Sequence, residues 1–153
     1  MDNKTTKTAQ EPTPDAMEST YEDRYRHLGH LFYSIAGCDR RIIQAEIDAL
    51  KLMIEDHWTH ADPGYDELGI EAVRYIDIHF DHAMEKGLSP KEAYAVFEQS
   101  QLREPDRFNG WTKSLILRTA VAIASASGSV NRSEAELIRA LQKLLGRVPG
   151  VLS

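Results

Sequence analysis

Residues 34–46 read SIAGCDRRIIQAE, and residues 122–134 read AIASASGSVNRSE. Each segment has small residues at the end of an apolar run, then a short turn with an aliphatic residue, and then a glutamate, Glu46 or Glu134. Each glutamate stands at the start of a further amphipathic run. The repeated pattern predicts two similar helix–turn–helix hairpins packed about a pseudo-twofold axis. We expect Ile42 or Ile43 to meet Val130 in the core between them.

Apolar residues recur at intervals of three and four outside these segments as well, which is the period of a helix buried on one side. Turn signals, chiefly Gly and Pro, separate six such runs, and no run alternates as a strand does. The sequence therefore predicts an all-α, single-domain bundle of about six helices over residues 20–148, preceded by a disordered tail over 1–19. The residues predicted to face the core are Tyr25, Leu28, Phe32, Ile35, Ile43, Ile47, Leu50, Ile54, Trp58, Val73, Ile76, Phe80, either Ala83 or Met84, Ala93, Tyr94, Phe97, Trp111, Leu115, Ala122, Ala126, Leu137, Ile138, Leu141, Leu144 and Leu145.

The composition excludes several classes of protein. Of 153 residues, 42% are hydrophobic, which is enough for a real core, and the single cysteine, Cys38, excludes a disulfide framework and Cys-rich zinc modules. The first twenty residues hold no apolar signal segment, and the weakly polar run over 115–130 is too interrupted to span a bilayer. We expect a cytoplasmic protein with Cys38 buried at a helix end, although nearby arginines leave a reactive thiol as the alternative.

Charge is distributed unevenly along the chain. The whole chain carries −6, but residues 43–86 hold eleven acids and three bases, whereas residues 101–153 hold four acids and eight bases. An acidic middle argues against nucleic acid, because phosphate is bound by Lys and Arg. It suits a cation or a basic protein surface, and a face that serves only solubility is the alternative. A protein partner is therefore expected, and a homodimer is compatible with the sequence.

The two turns resemble the TerB-like family of tellurite-resistance proteins, which also includes the N-terminal domain of a membrane-anchored DnaJ-type co-chaperone. Repeats of that family read roughly Ala-x-Ala-Asp-Gly-x-Ile-x-x-x-Glu, and the resemblance covers about residues 25–146. Asp39 and Gly128 match the Asp-Gly pair, while Arg40 and Ser127 depart from it. The resemblance implies an all-α stress-response protein without catalytic activity, in which acidic turn residues are associated with a divalent cation.

Carried onto this chain, the resemblance makes Asp39 and Glu46 the candidate metal ligands, with Glu134 a weaker one. Two carboxylates form part of a Ca²⁺ site, which needs six to eight oxygens. Glu134 also has a structural explanation, because it can return a hydrogen bond to the cap residue Asn131 three positions earlier. Ile43 cannot cap in this way, so we expect the Glu46 carboxylate to be freer. The alternative for Asp39 is a turn cap paired with a neighbouring arginine.

Two histidine pairs, His57-x-x-His60 and His79-x-x-His82, each place two imidazoles on one side of a helix. If the second and third helices form an antiparallel hairpin that turns near Pro63, His79 and His82 lie level with Glu46. Such a set suits Zn²⁺ or Ni²⁺. Ordinary surface histidines beside aspartates are the alternative, and we expect His27 and His30 to be partly exposed.

No nucleophile elbow, P-loop, dinucleotide fingerprint or zinc-protease motif occurs in the sequence. A ferritin-like carboxylate enzyme would need Glu-x-x-His motifs, which are absent. We therefore expect no enzyme. The predicted function is a TerB-like domain that binds a divalent cation or a protein partner through an acidic surface, and the alternative is an interaction scaffold without metal.

Overall fold

A computed structural model describes residues 14–38, 42–65 and 68–146 of the chain, with side chains from residue 23 onward. Within these ranges the chain forms six helices, and its one β-type pairing is an isolated bridge between Tyr65 and Glu71. The predicted all-α bundle is confirmed. The helices are α1 (Pro14–Gly37), α2 (Gln44–Met53), α3 (Arg74–Lys86), α4 (Pro90–Arg103), α5 (Gly110–Ala124) and α6 (Arg132–Leu145). The chain continues from α2 through a π-helical turn, Ile54–Trp58, into a last α-helical turn, Thr59–Ala61.

Helix α1 begins earlier than the sequence predicted. Its first residue is Pro14, so the predicted tail boundary between residues 19 and 20 falls inside the helix. Proline is favoured at a first helical position, since its ring presets φ and the amide hydrogen it lacks would have no partner there. The remainder of the predicted tail, residues 1–13, and the predicted C-terminal boundary at 148 lie outside the described residues.

Local capping sets where the later helices begin and end. The Ser89 hydroxyl accepts the backbone N–H of Glu92 at the start of α4, and Asn109 Oδ1 accepts that of Thr112 at the start of α5. Each bond satisfies an amide that has no partner within the helix. Helix α3 ends at Gly87, which has a left-handed φ of 65° that favours glycine. The boundaries of these helices are thus encoded locally.

Helix α1 is central and contacts each of the other five helices. Leu28, Leu31, Phe32 and Ile35 are completely buried, and every residue over 31–37 is buried. The sequence predicted a single apolar stripe for this helix. Its C-terminal half is instead covered on all sides, because small and hydroxyl-bearing residues pack there among the large ones.

Helices α1 and α3 approach each other most closely at Gly29. A Cβ atom on this glycine would lie 2.7 Å from the carbonyl oxygen of Ile76 and 3.0 Å from the His79 Cβ. Only a hydrogen fits between the two backbones at such distances. The contact aligns the His79 end of α3 with the middle of α1.

Three apolar residues predicted to face the core are exposed. Trp111 has 79% of its surface accessible, because it lies in the first turn of α5, and Leu115 is the first apolar residue of that helix to reach the core. Ile43 and Val130 are 39% and 38% exposed, so they do not meet in the core as predicted. Ile42 does pack partly against the core. Ile43 is the cap residue of α2, and Val130 directly precedes the cap residue of α6, so both lie where the chain is still at the surface.

Candidate functional site

The two glutamates of the sequence repeat occupy equivalent structural positions. Glu46 is 4% exposed and Glu134 is 1% exposed. Oε1 of Glu46 accepts the backbone N–H of Ile43 at 3.0 Å, and Oε1 of Glu134 accepts that of Asn131 at 2.9 Å. Each carboxylate therefore satisfies the amide of the residue at which its helix begins.

The prediction that Glu46 is a freer carboxylate than Glu134 is wrong. In the forward half of a capping box, the cap side chain accepts a backbone N–H of the first turn, and in the reverse half the glutamate accepts the N–H of the cap residue. An isoleucine cap removes only the forward half, because its side chain has no acceptor. The reverse half depends on the glutamate alone and forms at both turns. At the second turn the forward half is present too, since Asn131 Oδ1 accepts the Glu134 N–H at 2.8 Å. The capping interpretation of Glu134 is thus confirmed.

Asp39, the other residue of the predicted first-turn site, lies with Arg40 and Arg41 outside the described residues. The predicted cation site therefore remains a prediction at that turn. Cys38, directly before it, follows the last residue of α1 and is partly buried. Within the described ranges, no three His, Cys, Asp or Glu side chains come together as a group that could hold a metal ion.

The predicted set of Glu46, His79 and His82 is not brought together as metal ligands. His79 is 8% exposed and lies between α1 and α3, where its ring stacks on His30 with 6.4 Å between the centroids. It also stacks on Tyr75 at 6.2 Å. His82 contacts His79 edge-on at 5.8 Å and is itself exposed. The aromatic packing of His79 follows from the close backbone approach at Gly29.

His27 is the residue of this region that sequence reasoning missed. It is 8% exposed rather than partly exposed, and its Nδ1 atom is buried without a hydrogen-bond partner among the described residues. Burial, reinforced by the positive charge of Arg26, lowers the pKa of His27 to about 4. Because α1 is covered on nearly all sides, position 27 falls inside the core region even though it lies off the predicted stripe.

Part of the acidic middle of the sequence lies where side chains of α2 and α3 meet. Lys51 of α2 donates to both carboxylate oxygens of Asp77 on α3, at 2.8 and 3.0 Å. One turn further along, Arg74 of α3 contacts Glu55 in the π-helical turn that continues α2, at 2.7 Å. These pairs confirm that α2 and α3 run antiparallel, within one helical turn of the predicted register.

Acids outnumber bases on this face. Lys51 interacts electrostatically with Asp48 and Asp81 as well as with Asp77, and Asp81 in turn is close enough to Glu85 to be repelled by it. Burial, together with the negative charge of Asp77, raises the pKa of the Asp81 carboxyl. We call Asp48, Asp77, Asp81 and Glu85 the acidic face. Three of these carboxylates interact with the single ammonium group of Lys51, and Glu85 adds a fourth negative charge beside Asp81, so the face carries an excess of negative charge.

The chain matches no family model, no curated protein and no solved structure. The TerB-like resemblance is therefore supported by the two turn motifs alone. No helix in the described part of the chain is both long and apolar enough to cross a membrane.

Proposed function

We propose that this chain is a non-catalytic, TerB-like helical domain of a stress response that binds a basic protein segment through the acidic face between α2 and α3. The observation that carries the proposal is the arrangement around Lys51, where Asp48, Asp77 and Asp81 share one cation. A binding partner with lysines or arginines would supply the positive charges that this face lacks.

Exposed apolar residues lie beside the acidic face. Leu52 is 62% exposed and follows Asp48 by four residues on α2, so both lie on one side of that helix. Ile78 is 39% exposed and precedes Asp81 by three residues on α3. A surface that docks a basic, amphipathic segment is expected to combine exposed apolar residues with negative charges, as this one does.

The experiment is site-specific photo-crosslinking in the native host. A photoreactive phenylalanine analogue replaces Leu52, and a matched variant carries it at Leu102, which is 67% exposed on α4 away from the acidic face. We expect a discrete crosslinked protein of basic character from position 52 and not from position 102. Crosslinking should fall steeply when salt is raised to about 0.5 M, because exposed charges are screened.

A charge-reversal variant makes the test specific. Asp48→Lys combined with Asp81→Lys converts the face to a net positive one, and we expect it to abolish the crosslink from position 52. Glu98→Lys on α4 changes the net charge in the same direction at an exposed site elsewhere and should leave the crosslink intact. Equal crosslinking from positions 52 and 102, or no effect of charge reversal, would contradict the proposal.

A second candidate is cation binding at the first turn by Asp39 and Glu46. The observation that favours it is the burial of the Glu46 carboxylate next to that turn. Thermal melting with millimolar Ca²⁺, Mg²⁺ or Mn²⁺ and micromolar Zn²⁺ tests it. A bound ion would stabilise the fold by about 2.7 kcal/mol at a hundredfold excess over its dissociation constant. Glu46→Gln should abolish that rise and Glu134→Gln should not, whereas an unmoved wild-type melting curve rejects the site.

A further inference from the structure

A second surface feature lies away from the acidic face, where the π-helical turn after α2 meets the first turn of α5. A cleft of about 350 Å³ opens there, large enough for a small organic molecule. Its lining includes His57 and His60 on one side and Trp111 and Arg118 on the other. The proposed partner surface uses none of these residues.

Every polar side chain that lines the cleft can donate a hydrogen bond, and the lining contains no carboxylate. This is unusual in a chain of net charge −6. Arg118 is exposed and forms neither an ion pair nor a hydrogen bond with any described residue, whereas Lys51 and Arg74 each contact a carboxylate. A guanidinium presents several N–H groups in a planar fork that matches phosphate or carboxylate oxygens. Arg118 is thus available to an anion.

The π-helical turn helps to place the histidines. The amide of Thr59 donates to the carbonyl oxygen of Ile54, five residues earlier, so the helix is wider here than a regular α-helix. Trp58 is buried by this turn, and its Nε1 donates to Thr119 Oγ1 at 3.0 Å. His57 and His60 stay exposed and line the cleft together, and neither imidazole has a hydrogen bond to the described part of the chain.

The start of α5 adds to the positive character of the same cleft. Asn109, its cap residue, lines the cleft and satisfies the N–H of Thr112. The first helical amides, of Gly110 and Trp111, have no acceptor within a helix and carry its positive dipole end. No acidic side chain occupies this first turn, although α2, α3, α4 and α6 each have one.

Trp111 supplies an apolar wall. Its indole is 79% exposed, the largest exposed aromatic surface among the described residues, and it borders the cleft next to the donors. An indole face favours stacking with a planar ring. The cleft therefore combines a flat aromatic surface with a converging set of anion-binding donors.

We propose that this cleft binds a small molecule of the mononucleotide class, a phosphate joined to a planar base. Arg118, His57 and His60 hold the phosphate, and the base stacks on Trp111. The proposal is independent of the acidic face, since the two surfaces share no residue.

The test is NMR titration of the ¹⁵N-labelled full chain with the four ribonucleoside monophosphates, and with adenosine and inorganic phosphate as separate halves of the ligand. The two tryptophans give two indole N–H signals, which Trp111→Phe assigns. We expect at least one mononucleotide to shift the Trp111 indole and the Gly110 amide saturably, while the Trp58 indole stays in place. Adenosine and phosphate alone should each bind at least about tenfold more weakly than the nucleotide.

Variants decide whether the cleft is responsible. Arg118→Gln and Trp111→Ala should each weaken binding by about tenfold or more. Arg139→Gln, which removes an exposed arginine from α6, should leave binding unchanged and controls for net charge. The proposal is overturned if no mononucleotide shifts these signals up to about 10 mM. It is also overturned if Arg118→Gln binds as wild type does, or if phosphate alone binds as tightly as the nucleotide.

Discussion

Glu46 and Glu134 stand at the same position of the sequence repeat and make the same hydrogen bond. Each carboxylate accepts the backbone N–H of the residue three positions before it. Both carboxylates are almost fully buried. The first amides of a helix have no acceptor within the helix itself, so a carboxylate that accepts one of them stabilises the helix start. The repeat therefore encodes a way to start a helix whether or not the cap residue has a polar side chain.

Replacing either glutamate should destabilise the fold. We expect Glu46→Ala and Glu134→Ala each to lower the free energy of unfolding by about 1–3 kcal/mol, because the amide of the cap residue loses its acceptor. Urea denaturation followed by circular dichroism measures both. Glu136→Ala is the control, since this exposed glutamate pairs only loosely with Arg132, at 3.6 Å, and should cost less than about 0.5 kcal/mol. A loss at one repeat position and none at the other would contradict their equivalence.

Gly29→Ala should be more damaging than an alanine in a helix normally is. The new methyl group would lie 2.7 Å from the Ile76 carbonyl oxygen, which belongs to the backbone of α3 and cannot rotate away. We expect a loss of about 2 kcal/mol or more in the free energy of unfolding, despite the higher helix propensity of alanine.

Gly37→Ala, in the last turn of α1, is the matched control. Its methyl group would meet only side-chain atoms, of Pro90 at 3.3 Å and of Ile42 at 3.5 Å, so its effect should stay within about 1 kcal/mol. Equal destabilisation by the two substitutions would show that backbone contact between α1 and α3 is not the cause.

The helices were predictable because their signals are local. The apolar stripe of α6 predicted Ile138, Leu141 and Leu145 as core residues, and all three are buried. The helical period alone gave a wrong prediction for Trp111. This residue continues the apolar pattern of α5 by one turn beyond the part of the helix that its neighbours cover. How far a neighbouring helix reaches is a tertiary property, and the sequence of α5 does not contain it.

The surfaces were only partly predictable. Counting charges indicated an acidic middle, but the pairing of Lys51 with Asp77 depends on the exact register of α2 against α3. The cleft beside Trp111 was missed because its residues come from two segments that the sequence gives no reason to join. The pair His57-x-x-His60 is the one available signal, since its spacing places two imidazoles on one side of a helix.

The hydrogen bond from Trp58 to Thr119 should be measurable as a coupling energy. Thr119→Val keeps the shape of the side chain but leaves the buried indole N–H without an acceptor, so we expect a loss of about 2 kcal/mol. In a Trp58→Phe background the indole N–H is absent, and Thr119→Val should lower the free energy of unfolding by about 1 kcal/mol less. A double-mutant cycle in urea measures this difference. Strictly additive effects would contradict a stabilising hydrogen bond between the two side chains.

Mild acid should destabilise the fold through His27. Its pKa of about 4 in the folded protein, lowered by burial and by Arg26 and Arg107, is below the ordinary value of 6.5. The unfolded chain therefore binds a proton that the folded one excludes, and stability falls as pH drops from 6.5 toward 4. Burial also lowers the pKa of His30, which acts in the same direction. Between pH 7 and pH 5 we expect His27 to account for a loss of up to about 2 kcal/mol.

Urea unfolding of wild type and His27→Gln at both pH values isolates this contribution, because every other titrating group is shared by the two proteins. The variant should lose distinctly less stability than wild type on acidification, whatever its stability at pH 7. Asp23 is the one carboxylate that favours protonation of His27, so Asp23→Asn should steepen the wild-type dependence slightly. His82→Gln, at an exposed site on α3, should leave the dependence almost unchanged. If His27→Gln and wild type lose the same stability between pH 7 and pH 5, the buried imidazole is not the group that acid protonates on unfolding.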